Sequence, residues 1–136
     1  MKRWFFLLSF ICGSAYAGID PGQWEFSVES PLQKNPNGGP VVKERCISPE
    51  EAADPQKVLA DAAGDRCQLA NARDNGAEYT FEVNCPKTRV PVTGSGSVRY
   101  KPDSLDGHID LVGERQGFRL KTRSFVSARR LGPCKP

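Results

Sequence analysis

The chain reads as an α+β domain that is mostly β. The expected architecture is a meander of about six to seven antiparallel strands, curved or barrel-like, with one short broken helix after the second strand. Three observations predict this. Apolar and polar residues alternate at 23–29 and in nearly every segment from residue 68 onward. Helix start signals are confined to residues 48–64. Four cysteines follow an N-terminal stretch with the anatomy of an export signal, so they are expected to form two disulfides in an oxidising compartment.

The first element is that signal. Lys2 and Arg3 form a positive head, Trp4 to Ile11 is apolar except for Ser9, and Ala15-Tyr16-Ala17 fits a small-x-small cleavage site. Cleavage between Ala17 and Gly18 leaves residues 18–136 as a single domain without a transmembrane helix. The apolar run itself is much shorter than the roughly 20 residues a membrane-spanning helix needs. Lipid attachment at Cys12 is disfavoured, because Ile11 stands where a small residue is wanted. The expected location is the bacterial periplasm or the medium.

In the mature segment, Trp24, Phe26 and Val28 alternate with Gln23, Glu25, Ser27 and Glu29, the pattern of a half-buried strand. Residues 31–40 are turn-rich, and Val41 to Ile47 is a second strand. Ser48-Pro49-Glu50-Glu51 is a capping box with proline at the first helical position. Asp54-Pro55 restarts the helix, Val58, Leu59 and Ala62 give it an apolar face, and Gly64 ends it.

Strands follow. Gln68 to Arg73 and Glu78 to Val83 flank Asp74-Asn75-Gly76, a hairpin signal, with Tyr79, Phe81 and Val83 inward. Thr93-Gly94-Ser95-Gly96-Ser97 reads as the entry to a strand carrying Val98 and Tyr100, and Lys101 to Ser104 turns the chain. Ile109 and Leu111 face inward on the next strand, Phe118 and Leu120 on the last. A four-residue turn at 114–117 sets Leu111 opposite Leu120, Asp110 opposite Lys121 and His108 opposite Arg123. Arg119, Lys121 and Arg123 then form an outer basic stripe, a candidate anion-binding surface whose plainer reading is a solvated or aggregation-blocking face.

Charge is distributed unevenly. Residues 18–85 carry 6 basic and 12 acidic residues, and residues 86–136 carry 11 and 4. The favoured explanation is that the two halves lie side by side and neutralise each other across one sheet. Four cysteines permit three pairings. Cys67 and Cys85 lie at equal distance from Gly76, and a three-residue loop over 75–77 places them directly opposite. Cys46 is left to pair with Cys134.

Chemistry is harder to find. No pair of cysteines has C-x-x-C spacing and there is one histidine, which argues against zinc and thioredoxin-like redox work. His108 shares a face with Asp106 and Asp110, but no serine sits in a nucleophile elbow. The glycine-serine run lacks the lysine of a phosphate loop. Aromatics fall on the inward parity except Phe125, which disfavours nucleic acid. No cofactor is implied.

Pro21-Gly22-Gln23-Trp24-Glu25, Cys46-Ile47-Ser48-Pro49-Glu50, Gly94-Ser95-Gly96-Ser97, Asp106-Gly107 and the closing Arg130-Leu131-Gly132-Pro133-Cys134 occur in an order and spacing that resembles the bacterial exported family named domain of unknown function 3617. Pro133 departs from the family's usual residue before the final cysteine. The resemblance implies a small exported protein with two disulfides and carries no activity. The expected function is a non-enzymatic binding or interaction module of the cell envelope. Its partner would be an envelope protein or an anionic polymer. The alternatives are a carrier of a small apolar ligand and a His108-dependent hydrolase.

Overall fold

In the computed structural model, residues 18–31, 35–63 and 66–136 are described, with residues 62 and 63 described by their backbone only. The export segment 1–17 with its Ala17–Gly18 cleavage site, Cys12, Gly64 and the side chain of Ala62 lie outside the described residues.

Alternation becomes strand at β1 (Gly22–Glu29) and β2 (Val41–Ile47). The capping box then opens α1 (Pro49–Ala52): the Ser48 hydroxyl accepts from the Glu51 N–H at 3.2 Å, and the Glu51 carboxylate accepts from the Ser48 N–H at 2.9 Å. This second bond, with Arg45 beside it, lowers the Glu51 carboxyl's pKa. The chain breaks at Ala53–Asp54 and restarts as α2 (Pro55–Ala63). Five strands follow: β3 (Gln68–Asp74), β4 (Glu78–Cys85), β5 (Val92–Lys101), β6 (Ser104–Arg115) and β7 (Phe118–Gly132). The glycine-serine run lies inside β5 rather than ahead of it.

All seven strands form one antiparallel sheet in the order β2-β1-β7-β6-β5-β4-β3. The sheet is open, with β2 and β3 as its edges, so of the two forms expected, curved or barrel-like, it does not take the closed one. β1 sits against β7, and this is how the acidic and basic halves meet. Glu25 lies opposite Arg129 and pairs with it at 3.0 Å, and Lys135 reaches Glu44 at 2.6 Å.

One face of the sheet is the core. Trp24 and Ile47 are fully buried, and Tyr79, Phe81, Val98, Tyr100 and Leu105 join them beneath Val58 of α2. The Trp24 indole N–H donates to the Asp20 carbonyl at 2.9 Å, so the largest core side chain leaves no orphan donor. Phe81 lies opposite Gly96, where a Cβ would stand only 2.4 Å from the ring, so the glycine makes room for the aromatic.

Both expected disulfides form. Cys46–Cys134 has a Cα–Cα distance of 5.3 Å, and Cys67–Cys85 one of 4.1 Å. The second pair aligns by a different route from a three-residue loop. The last ladder pair before the turn is Asp74 with Tyr79, which leaves four residues between them. A bulge between Ala70 and Arg73, with Asn71 at φ 50°, then shifts the register by one. Beyond the bulge Gln68 faces Asn84, so the two cysteines come opposite each other.

The last hairpin is also tighter than expected. Gln116 and Gly117, at φ 52° and 81°, form a two-residue turn in place of four. The register moves by two residues, which preserves the faces but changes the partners. Leu111 meets Thr122, Asp110 meets Arg123, and His108 meets Phe125. Phe118 and Leu120 have the inward parity, yet they are 81% and 51% exposed. Past Val92–Gly113 on one side and the Ser124–Ser30 contact on the other, β6 and β7 pair only with each other among the described residues. Neither Phe118 nor Leu120 joins the buried core, whose last member on this side is Val92, paired with Gly113.

Candidate functional site

The site lies on the face of the sheet away from the helices, and register builds it. Glu78 of β4 stands opposite Arg99 of β5, Arg99 opposite Asp106 of β6, Asp106 opposite Ser127 of β7, and Ser127 opposite Ser27 of β1. One step along the strands runs a second row: Ser97, His108, Phe125 and Glu29. Alternation places all of these side chains on the non-core face. Together they line a depression of about 560 Å³ that spans five strands and ends at Pro40.

The chemistry of this groove is polar. It holds three carboxylates (Glu29, Glu78, Asp106) against one guanidinium, Arg99. Arg99 makes no ion pair within 4.0 Å among the described residues, although carboxylates flank it on both strands. Phe125 exposes about half its surface, 53%, as the aromatic element. Hydroxyls come from Ser27, Ser97 and Ser127.

His108 is the residue to which a hydrolytic reading would turn. Its Nε2 lies 3.7 Å from Asp110 Oδ2, beyond hydrogen-bond reach. Asp110 is already taken. Arg123 grips it through two bonds, Nε to Oδ1 at 2.6 Å and Nη2 to Oδ2 at 2.8 Å. This fork lowers the Asp110 pKa. Ser97 is the ladder neighbour of His108, but no hydrogen bond joins them.

The basic stripe divides. Arg123 is spent on Asp110, whereas Arg119 and Lys121 form no ion pair among the described residues. The apolar interior offers little space. The cleft between α2 and the sheet, lined by Val58, Tyr79, Val98 and Tyr100 among others, measures about 20 Å³, room for one water. No group of three or more metal-ligating side chains occurs among the described residues, and no described helix is long and apolar enough to cross a membrane.

Sequence reasoning named His108, Asp106 and Phe125 but missed the groove. Glu78 figures there only as the first residue of its strand, and Arg99 is not singled out. The two-residue Pro102-Asp103 turn would have aligned Arg99 with Asp106. The link across β7 to β1 joins distant parts of the chain and had no local signal.

A seven-stranded open sheet with one helical cover, two disulfides and a polar groove defines the class. The chain belongs to the family described as Protein of unknown function (DUF3617), which it matches over residues 19–134. Neither a curated protein nor a solved structure shows detectable similarity to it.

Proposed function

We propose that this protein is an exported, non-enzymatic binding module of the bacterial cell envelope, and that its groove takes a small polar ligand bearing a positive group. The observation that carries this reading is the depression of about 560 Å³ with its excess of carboxylates over guanidinium. Its volume falls in the range of about 300–1,000 Å³ typical of ligand sites. Its polar, open character suits recognition by charge and hydrogen bonds. Phe125 adds a ring face on which an organic cation gains about 0.5–1 kcal/mol at an exposed site.

Export rests on the positive head, apolar run and Ala15-Tyr16-Ala17 of the N-terminus, and two disulfides agree with an oxidising compartment. The non-enzymatic reading rests on His108. The carboxylate that would orient it is bound by Arg123, and its neighbouring serine makes no bond to it. The small apolar cleft argues against a carrier of apolar ligands.

The test is a titration of the oxidised protein with choline and with putrescine, followed by amide chemical shifts. Shifts confined to the groove strands, and lost in Asp106→Asn and Phe125→Ala, support the reading. An unperturbed spectrum at millimolar probe overturns it. A hydrolytic activity toward ester substrates that disappears in His108→Ala would overturn the non-enzymatic part. N-terminal sequencing of protein recovered from the periplasm tests export directly: a start other than Gly18 contradicts the cleavage assignment.

A further inference from the structure

We infer that the free end of the β6–β7 ribbon is a docking element for an anionic lipid surface. Among the described residues, neither β5 nor β1 continues beside the ribbon's end at 114–121. At its tip Phe118 is 81% exposed and Leu120 51%. Phe118 is almost wholly uncovered and Leu120 half covered, side by side on one face at the ribbon's end, an apolar pair that a partner outside the chain would cover.

The surrounding charge selects the occupant. Residues 114–121 include Arg115, Arg119 and Lys121 against the single acid Glu114. None of the three cations is held in an ion pair among the described residues. The ladder sets Phe118 opposite Arg115 and Leu120 opposite Gly113, while Arg119 and Lys121 occupy the other face. The tip is therefore an apolar wedge collared by cations. A hydrated anionic polymer would use the cations and leave the wedge in water. An anionic bilayer surface satisfies both, because the side chains enter the acyl boundary while the cations meet headgroups. Glu114 is the one group that opposes this arrangement, and it faces Arg119 across the ladder.

This inference is independent of the groove, whose lining lies farther along the same strands. Its test is co-sedimentation of the oxidised chain beginning at Gly18, which holds every described strand, helix and disulfide, with phosphatidylglycerol–phosphatidylcholine vesicles and with pure phosphatidylcholine vesicles. Binding to the anionic vesicles alone is expected. Phe118→Ser with Leu120→Ser should lower it at least about tenfold, and each of Arg119→Gln and Lys121→Gln about fivefold. Thermal unfolding of each variant should lie close to that of the parent, because Phe118 and Leu120 are not members of the buried core.

Three outcomes overturn the inference. The first is no sedimentation with anionic vesicles at low salt. The second is binding that the double serine variant leaves intact. The third is displacement of the protein by inorganic phosphate at matched phosphate concentration, which would reduce the tip to a simple anion site. Self-association that the double serine variant abolishes, without vesicle binding, would assign the tip to a second copy of the chain instead.

Discussion

Arg123 Nε lies 2.6 Å from Asp110 Oδ1, with a second bond at 2.8 Å, across the β6–β7 ladder. Two-pronged contact of this kind fixes orientation as well as charge. It removes Arg123 from the basic stripe and Asp110 from service to His108. The Asp110 pKa lies below its ordinary value of 3.8, chiefly through the hydrogen bonds from Arg123. A carboxyl depressed in the folded state contributes stability above its unfolded pKa and loses that contribution as pH falls through the folded value. Asp110→Asn should therefore be less stable than the parent at pH 7, and the gap should narrow at an acid pH well below the ordinary 3.8. Urea unfolding midpoints at the two pH values check this. A gap that stays constant would remove the fork as its cause.

The disulfides should matter unequally. Cys46–Cys134 spans 88 residues and Cys67–Cys85 spans 18. On the chain-entropy account, breaking the longer loop costs about 4.5 kcal/mol and the shorter about 3 kcal/mol. Cys46 is exposed and Cys85 buried, so mild reductant should open the Cys46 link first. Alkylation of partly reduced protein followed by peptide mapping reads the order. Thermal unfolding of the two double-alanine variants reads the costs.

Gly94 tolerates no side chain. A Cβ there would stand 1.8 Å from the Asp110 carbonyl oxygen, a backbone atom that moves only with its strand. Gly94→Ala should cost about 3 kcal/mol, at the upper end for overpacking. Gly38→Ala serves as the contrast for space alone: nothing lies within 4 Å, and its cost comes from its φ of 76°. Chemical denaturation of the two variants separates a clash from strain.

Tyr79 is 4% exposed, and its hydroxyl has no hydrogen-bond partner among the described residues. Burial raises its pKa. Because an unsatisfied buried hydroxyl costs about 1–3 kcal/mol, Tyr79→Phe should be neutral or stabilise by about 1 kcal/mol. Tyr100 behaves oppositely. Its hydroxyl donates to Asp74 at 2.5 Å, and burial with that bond raises its pKa to about 12. Tyr100→Phe should destabilise by about 1 kcal/mol. Equal effects in the two variants would contradict the distinction.

Period-two alternation was enough to assign faces from sequence. Phe81, Val83, Ile109 and Arg123 lie on the sides expected of them, because a strand side chain has only two directions to choose between. The capping box at Ser48 was legible because its partners are three residues apart. Hairpin length was less so. Gln116-Gly117 and the bulge near Asn71 depend on backbone at positive φ in non-glycine residues, which residue type predicts poorly.

What the sequence by itself determined was the class of fold, the two disulfides, the faces of the strands and membership of the family, all through local patterning and cysteine spacing. Only the tertiary structure decided that the sheet stays open, that Phe118 and Leu120 overhang their neighbours, and that Glu78, Arg99 and Asp106 share one groove with Phe125. Alternation says which way a side chain points. Whether anything lies there to meet it depends on where each neighbouring strand stops, and β1 reaches β7 across about a hundred residues of chain that no local signal spans.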